Sequence, residues 1–151
     1  MKDYRQLSAF LRLYKSRVTD RTYKTMLRVA TEVRDDAKKN LVANGNVDTG
    51  ALLWSIAVDT KWDAHGINFY IKANARSNGV KYAEFIEFGT GIYNEHGDGR
   101  QTPWRYQKRD GQWITTRGSH PYPFIRPAFR AHMNELTQYM RNAIRVDGGA
   151  P

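Results

Sequence analysis

Between Asp20 and Leu41 an apolar side chain returns every three or four residues, at Tyr23, Met26, Leu27, Ala30, Val33, Ala37 and Leu41. That period matches the turn of an α-helix and lays these positions along one stripe, which another layer of the fold has to cover. Asp20 is placed to cap the free amides at the start of the helix, and Asn44 to Asn46, "NGN", accept the left-handed backbone that ends one. Residues 1–19 carry Leu7, Phe10, Leu11 and Tyr14 at helical spacing, but the segment is short and basic. It reads as a separate helical extension, detachable near Arg17 to Asp20, that needs a partner to be stable.

The covering layer has to come from downstream. "VDTGALLWSI" offers Asp48 or Thr49 as the cap of one or two helical turns, after which "SIAVDTKW" alternates like a strand from about Ser55. "DAHG" marks a turn into "INFYIKAN", Ile67 to Asn74, so the two strands should pair antiparallel, and "RSNGV" reads as a loop. In Lys81 to Phe88 the apolar and aromatic positions suit a short helix that stops at Gly89. Gly89 to Pro123 is too long for an ordinary connection. Within it, "WRYQKRDGQWITTR" predicts a hairpin with Asp110-Gly111 as a two-residue type I′ turn. "HPYPFIRP" is held extended by its three prolines. Pro127 then opens a C-terminal helix in which Phe129, Met133, Leu136, Met140 and Ile144 share a face, and "VDGGAP" frays. The expected fold is α+β: a long helix and a C-terminal helix packed on a small antiparallel β-sheet, with a long loop containing a β-hairpin. Residues 1–19 form the helical extension, 20–146 one domain and 147–151 a flexible tail.

Composition narrows the chemistry. A 151-residue chain that is 40% hydrophobic can bury one modest core, and with no cysteine it has no disulfide, thiolate metal site or Cys nucleophile. The longest apolar runs are three to four residues, as in "ALLW", and the first ten residues are charged, so neither a signal peptide nor a membrane span is expected. The expectation is a soluble protein made in the cytoplasm. The formal net charge of +9 lies in two blocks, with eleven Lys or Arg against five Asp or Glu in residues 1–45 and six against one in residues 100–126. Such charge favours polyanions or acidic protein surfaces.

Each candidate site has a plainer explanation beside it. Glu84 and Glu87 lie three apart on a helix, a spacing that could serve acid–base chemistry but equally a solvated or ion-paired face, and no further catalytic element accompanies them. "GTG", Gly89 to Gly91, lacks the Lys-Ser/Thr of a phosphate loop and the third glycine of a dinucleotide fingerprint. Gly89 and Gly91 are better read as supplying backbone angles closed to other residues, with Glu87 accepting hydrogen bonds from amides near that turn. His65, His96, His120 and His132 have no zinc spacing, and "EHGDG" lacks the acidic count of a calcium loop. Ser119 beside His120 makes no triad. No catalytic residue, metal or cofactor is assigned. Arg100, Trp104, Arg105, Tyr106, Lys108, Arg109 and Trp113 interleave cations with aromatics, which suits nucleic acid, a protein interface, or a solvated hairpin whose rings cover the core.

In their order along the chain, the long helix, "VDTGALLWSI", "YAEFIEFGTG", a variable loop and "HPYPFIRPAF" resemble the tail-component family of long-tailed bacteriophages, over about Leu41 to Ala131. Residues 1–19 and the long basic hairpin go beyond the family's pattern. The resemblance implies a virion structural protein without enzymatic activity, a subunit of a closed ring, six-fold or twelve-fold, in the neck or at the tail end. Head-completion and tail proteins would be its neighbours, packaged DNA a candidate contact, and the host cytoplasm its place of assembly. The motif residues it marks for the fold and its hinge are Asp48, Thr49, Gly50, Glu87, Gly89, Thr90, Gly91, Pro123, Phe124, Arg126 and Pro127. The basic aromatic hairpin is the expected docking loop. The alternative reading of the residues is a basic nucleic-acid-binding module, and a hydrolase using Glu84 or Glu87 is the third.

Overall fold

The computed structural model describes the backbone of residues 2–63 and 66–144, and the side chains from Thr19 onward except at 66, 134, 140, 143 and 144. The expected turn at 64–65 with His65, the tail at 147–151, the stripe from Leu7 to Tyr14 and the side chains of Met140 and Ile144 lie outside what is described.

The chain is α+β. Its spine is α1, Lys2–Ala43, a single helix of 42 residues and about 63 Å. The expected boundary at Arg17 to Asp20 is not a helix break, and Asp20 is not a cap. Neither Thr19 nor Asp20 removes a backbone donor or demands a non-helical angle, and Asp20 gains Lys24 at 2.8 Å one turn later. The helix does end at "NGN", where the Gly45 amide donates to the Val42 carbonyl and the Asn46 amide to that of Leu41.

α1 packs antiparallel to α4, Ile125–Ile144. Asn44 and Asn40 donate to the Pro123 and Phe124 carbonyls, His132 meets Asp36 at 2.9 Å, and Arg28 lies 4.4 Å from the Tyr139 ring centre, so the contacts run down α1 as they run up α4. α4 starts two residues before Pro127, which therefore sits third in the helix. The core comprises Val29, Val33, Ala37 and Leu41 of α1, Leu52, Ile56, Ala75, Ala83, Phe124 and Ala128. Most of the expected α1 stripe is thus inside, though Tyr23, Met26 and Leu27 are half-buried.

The face of α4 differs from expectation. Ala128 is buried, and Ile125, Leu136 and Tyr139 pack against the core, while Phe129 and Met133 are exposed. The sequence carries two overlapping apolar stripes here, and α1 covers the one that holds the small Ala128, since a small residue lets two helix axes approach. Phe129 and Met133 are left on the outside.

Besides the expected small antiparallel sheet and the expected hairpin of the long loop there is a third two-stranded antiparallel ribbon. The short helix α2, Ala51–Ser55, leads into β1, Ile56–Asp63, which pairs along its length with β2, Gly66–Ala73. Tyr23 of α1 stacks on Trp62 and packs on Phe69, which supports the far end of that ribbon. "RSNGV" is not a plain loop: β3, Arg76–Ser77, pairs with β4, Val80–Lys81, through Asn78 (φ 48) and Gly79 (φ 80). Two successive positive φ values make this the type I′ turn that Asn-Gly favours. The hairpin of the long loop pairs β5, Trp104–Gln107, with β6, Trp113–Thr116. Its turn is not type I′, because of the Asp110-Gly111 pair only Gly111 has positive φ. The Gly111 amide donates to Lys108 and the Lys108 amide to Gln112, a three-residue loop closed by a left-handed glycine.

Phe124 is 0% exposed and Phe129 50%. Phe124→Ala should therefore cost about 3–5 kcal/mol in denaturant unfolding, and Phe129→Ala no more than about 0.5 kcal/mol. Equal losses would show that the covered face of α4 is wrongly assigned.

Candidate functional site

The helix α3, Ala83–Phe88, projects Glu84 into solvent and turns Glu87 inward, where it is 5% exposed. The two carboxylates do not form a pair. Glu87 accepts hydrogen bonds from the backbone amides of Phe124 (2.8 Å), Ile125 (3.0 Å) and Arg126 (3.0 Å), and from Arg126 Nε at 3.0 Å. These amides are not the ones near the "GTG" turn, as expected from sequence, but the free donors at the start of α4. The next residue is Pro127, which has no amide, so one carboxylate satisfies every unpaired donor of that first turn. Glu87 is the N-cap of α4, supplied from another helix.

Arg126 completes the staple. Its Nη2 donates to the Glu87 carbonyl at 2.8 Å and its Nη1 to Glu95 at 2.5 Å, while the guanidinium lies 4.6 Å from the Phe88 ring centre. The Arg126 hydrogen bond holds the Glu95 carboxyl below its ordinary range. Glu95, in the "EHGDG" stretch that lacks the acidic count of a calcium loop, is a site residue that the sequence reading missed. Asn40 and Asn44, which hold Pro123 and Phe124 from α1, are two more. Nothing local marks any of the three, because their partners are remote in the chain.

Behind α3, Gly89 takes φ 77 and ψ 177, a region essentially reserved for glycine. The chain then runs beside its own return: the Thr90 amide donates to the Ser119 carbonyl, the Ile92 amide to that of Arg117, and the Ser119 amide to Thr90 Oγ1. The approach is so close that a Cβ on Gly91 would stand 1.9 Å from the Arg117 carbonyl oxygen. Of the described histidines, His120 packs against Tyr93 and His96 against Phe88, while His132 hydrogen-bonds Asp36. Among the described residues no three His, Asp or Glu side chains gather as a metal set, and no helix is long and apolar enough to cross a membrane.

The staple gathers "YAEFIEFGTG" and "HPYPFIRP" into one site. "VDTG" lies apart from it. Gly50 occupies the N-cap position of α2 without a side-chain bond, and Thr49 Oγ1 accepts only from the Ala51 amide. Asp48 instead reaches Arg109 on the tip of the β5–β6 ribbon at 3.0 Å, with both side chains exposed. A groove of about 670 Å³ lies beside this pair, with Leu52, Leu53, Tyr82 and Ile86 in its wall. On the ribbon, Arg100 lies 5.6 Å from the Trp104 ring centre and Arg105 5.4 Å from that of Trp113. Trp104 is half-buried, whereas Tyr106 and Trp113 are exposed. Comparison with protein-family models, with curated proteins and with solved structures finds no match for this chain.

Two outcomes test the staple. Glu87→Gln leaves an amide NH₂ facing donors and should cost about 3–5 kcal/mol of stability, against about 0.5 kcal/mol for the exposed Glu84→Gln. The Glu95 carboxyl titrates lower when folded than its ordinary 4.5. Its contact with Arg126 therefore adds stability that is complete above that value and is lost as the pH falls through the lowered one. The melting temperature of Glu95→Gln should accordingly fall less steeply in acid than that of the parent, and parallel curves would refute the assignment.

Proposed function

We propose that this chain is a structural protein of a bacteriophage virion, a subunit of a ring that joins head to tail or completes the tail. The observation that carries the reading is the convergence of the segments on which the resemblance rests. Glu87 of "YAEFIEFGTG" holds the amides of "PFIR", and Leu52 of "VDTGALLW" shares the core with Ala83, Phe124 and Ala128. Residues that match a family's short motifs are thereby the residues that hold this fold together, as expected where a motif preserves architecture rather than chemistry.

Two further features favour a scaffold. Of the two carboxylates a hydrolase would use, Glu87 is occupied by four donors of its own chain and Glu84 stands apart from it in solvent. Large apolar side chains also stand out on separate faces, with Trp54 on α2, Trp62 on β1, Phe85 on α3 and Phe129 and Met133 on α4. Exposed aromatic anchors on several faces are what a subunit with a neighbour on either side requires. The fold explains how one segment can be presented to a partner, because the loop between Gly91 and Ser119 leaves and rejoins the body through two hydrogen-bonded segments.

The reading is tested on particles assembled without this protein. Electron microscopy should then show filled heads and tails unjoined, or tails with an unfinished end, and complementation with the chain should restore infectious particles containing it. Normal particle yield in its absence would overturn the proposal.

A further inference from the structure

Cations on the body of the protein are only partly paired: Lys38, Lys61, Arg76, Lys81, Arg130 and Arg141 have no carboxylate within ion-pair distance among the described residues. Among the described residues, Lys24 pairs with Asp20, Arg28 with Glu32, Lys39 with Asp36, Lys72 with Asp59, and Arg126 with Glu87 and Glu95. The β5–β6 ribbon sets Arg105 beside the exposed Trp113 ring. Its own carboxylate, Asp110, accepts the Gln112 amide inside the turn. Arg109 is held by Asp48, but no carboxylate stands within ion-pair distance of Arg105, Lys108 or Arg117 among the described residues.

These three cations are distributed along the length of the ribbon. The register sets Arg105 opposite Thr115 and Gln107 opposite Trp113, so alternation puts Arg105, Trp113 and Thr115 on one face, all exposed. Lys108 stands at the tip and Arg117 at the base, which spreads positive charge over about 17 Å of ribbon. Arg105 leans over the Trp113 ring, and that indole is 56% exposed, so a flat aromatic surface sits among these charges.

We propose that the β5–β6 ribbon binds duplex DNA through its backbone phosphates. Two antiparallel strands have the width that a major groove of about 12 Å admits, and cations spaced along the ribbon, with a hydroxyl at Thr115 between them, match a line of phosphates better than they match one carboxylate. The ribbon is fixed at both ends for this role, at its base by the paired Thr90–Ser119 and Ile92–Arg117 segments and at its tip by the Arg109–Asp48 pair. Neutralised phosphates release counterions, so the binding is steeply salt-dependent and largely independent of base sequence. The inference stands on the ribbon alone and holds whether or not the chain belongs to a virion.

The test is fluorescence anisotropy of a labelled duplex with the purified full chain across a salt series. Binding should weaken with salt along a log–log slope of about −3, as for roughly three phosphate contacts. Arg105→Glu/Lys108→Glu/Arg117→Glu should lower affinity about 100-fold at low salt and flatten the slope. Lys24→Glu/Lys61→Glu/Lys81→Glu changes the net charge equally on the body and should stay within about tenfold of the parent. Lys108→Glu alone, at the exposed tip where folding is not at stake, should weaken binding by about tenfold. Absence of binding at low salt, or equal loss in the two triple variants, would overturn the proposal. A polyglutamate peptide that binds as tightly as the duplex would overturn it too, and would put an acidic protein on the ribbon instead.

Discussion

The structure depends on one buried carboxylate. A helix begins with several amides that its own turns cannot satisfy, and burying them without partners is costly. In α4 these donors belong to Phe124, Ile125 and Arg126, and all three go to Glu87, while Pro127 contributes none. The reciprocal argument holds for Glu87, whose charge would be equally costly in the core without those donors and the Arg126 guanidinium. Each group makes the other's burial tolerable. The start of α4 is thereby tied to the end of α3, although 36 residues separate Phe88 from Ile125.

Everything between those two points inherits its placement from this tie. Phe124 enters the core beside Leu41, Leu52 and Ile56 only because its own amide is satisfied by Glu87 and its carbonyl by Asn40. The segments on either side of the loop are then near enough for Thr90 and Ile92 to hydrogen-bond with Ser119 and Arg117, an approach that leaves no room for a side chain at Gly91. An isolated two-stranded ribbon is marginal in water. The β5–β6 ribbon persists because its base is held in this way and its tip is tethered through Arg109 to Asp48. The β1–β2 ribbon solves the same problem differently, by laying Trp62 and Phe69 against Tyr23 of α1.

Local signals were read well where the chain decides locally, and poorly where two local solutions compete. The stripe along α1, its end at Asn44 to Asn46, the pairing of β1 with β2 and the stop at Gly89 all follow from periodicity and from residues that tolerate unusual backbone angles. Asp20 was misread as a cap because an N-cap and an i,i+4 salt-bridge partner have the same side chain. Asn78-Gly79 forms the type I′ turn, whereas Asp110-Gly111 closes a longer one. The strands flanking Asn78-Gly79 are two residues each, too short to show alternation.

What the sequence alone determined is the class of the fold and the order of its elements, since helical and strand periods, caps and turn residues act over a few neighbours. It also marked both halves of the staple, "YAEFIEFGTG" and "HPYPFIRP", as special without showing that they meet. The tertiary structure decided which stripe of α4 faces α1, where the Glu87 carboxylate finds its donors, and that Glu95, Asn40 and Asn44 complete the site. The physical reason is the same in each case. A hydrogen bond or a packed face between residues dozens of positions apart has no local period, and only closing the chain into a core selects among the partners that each segment could have taken.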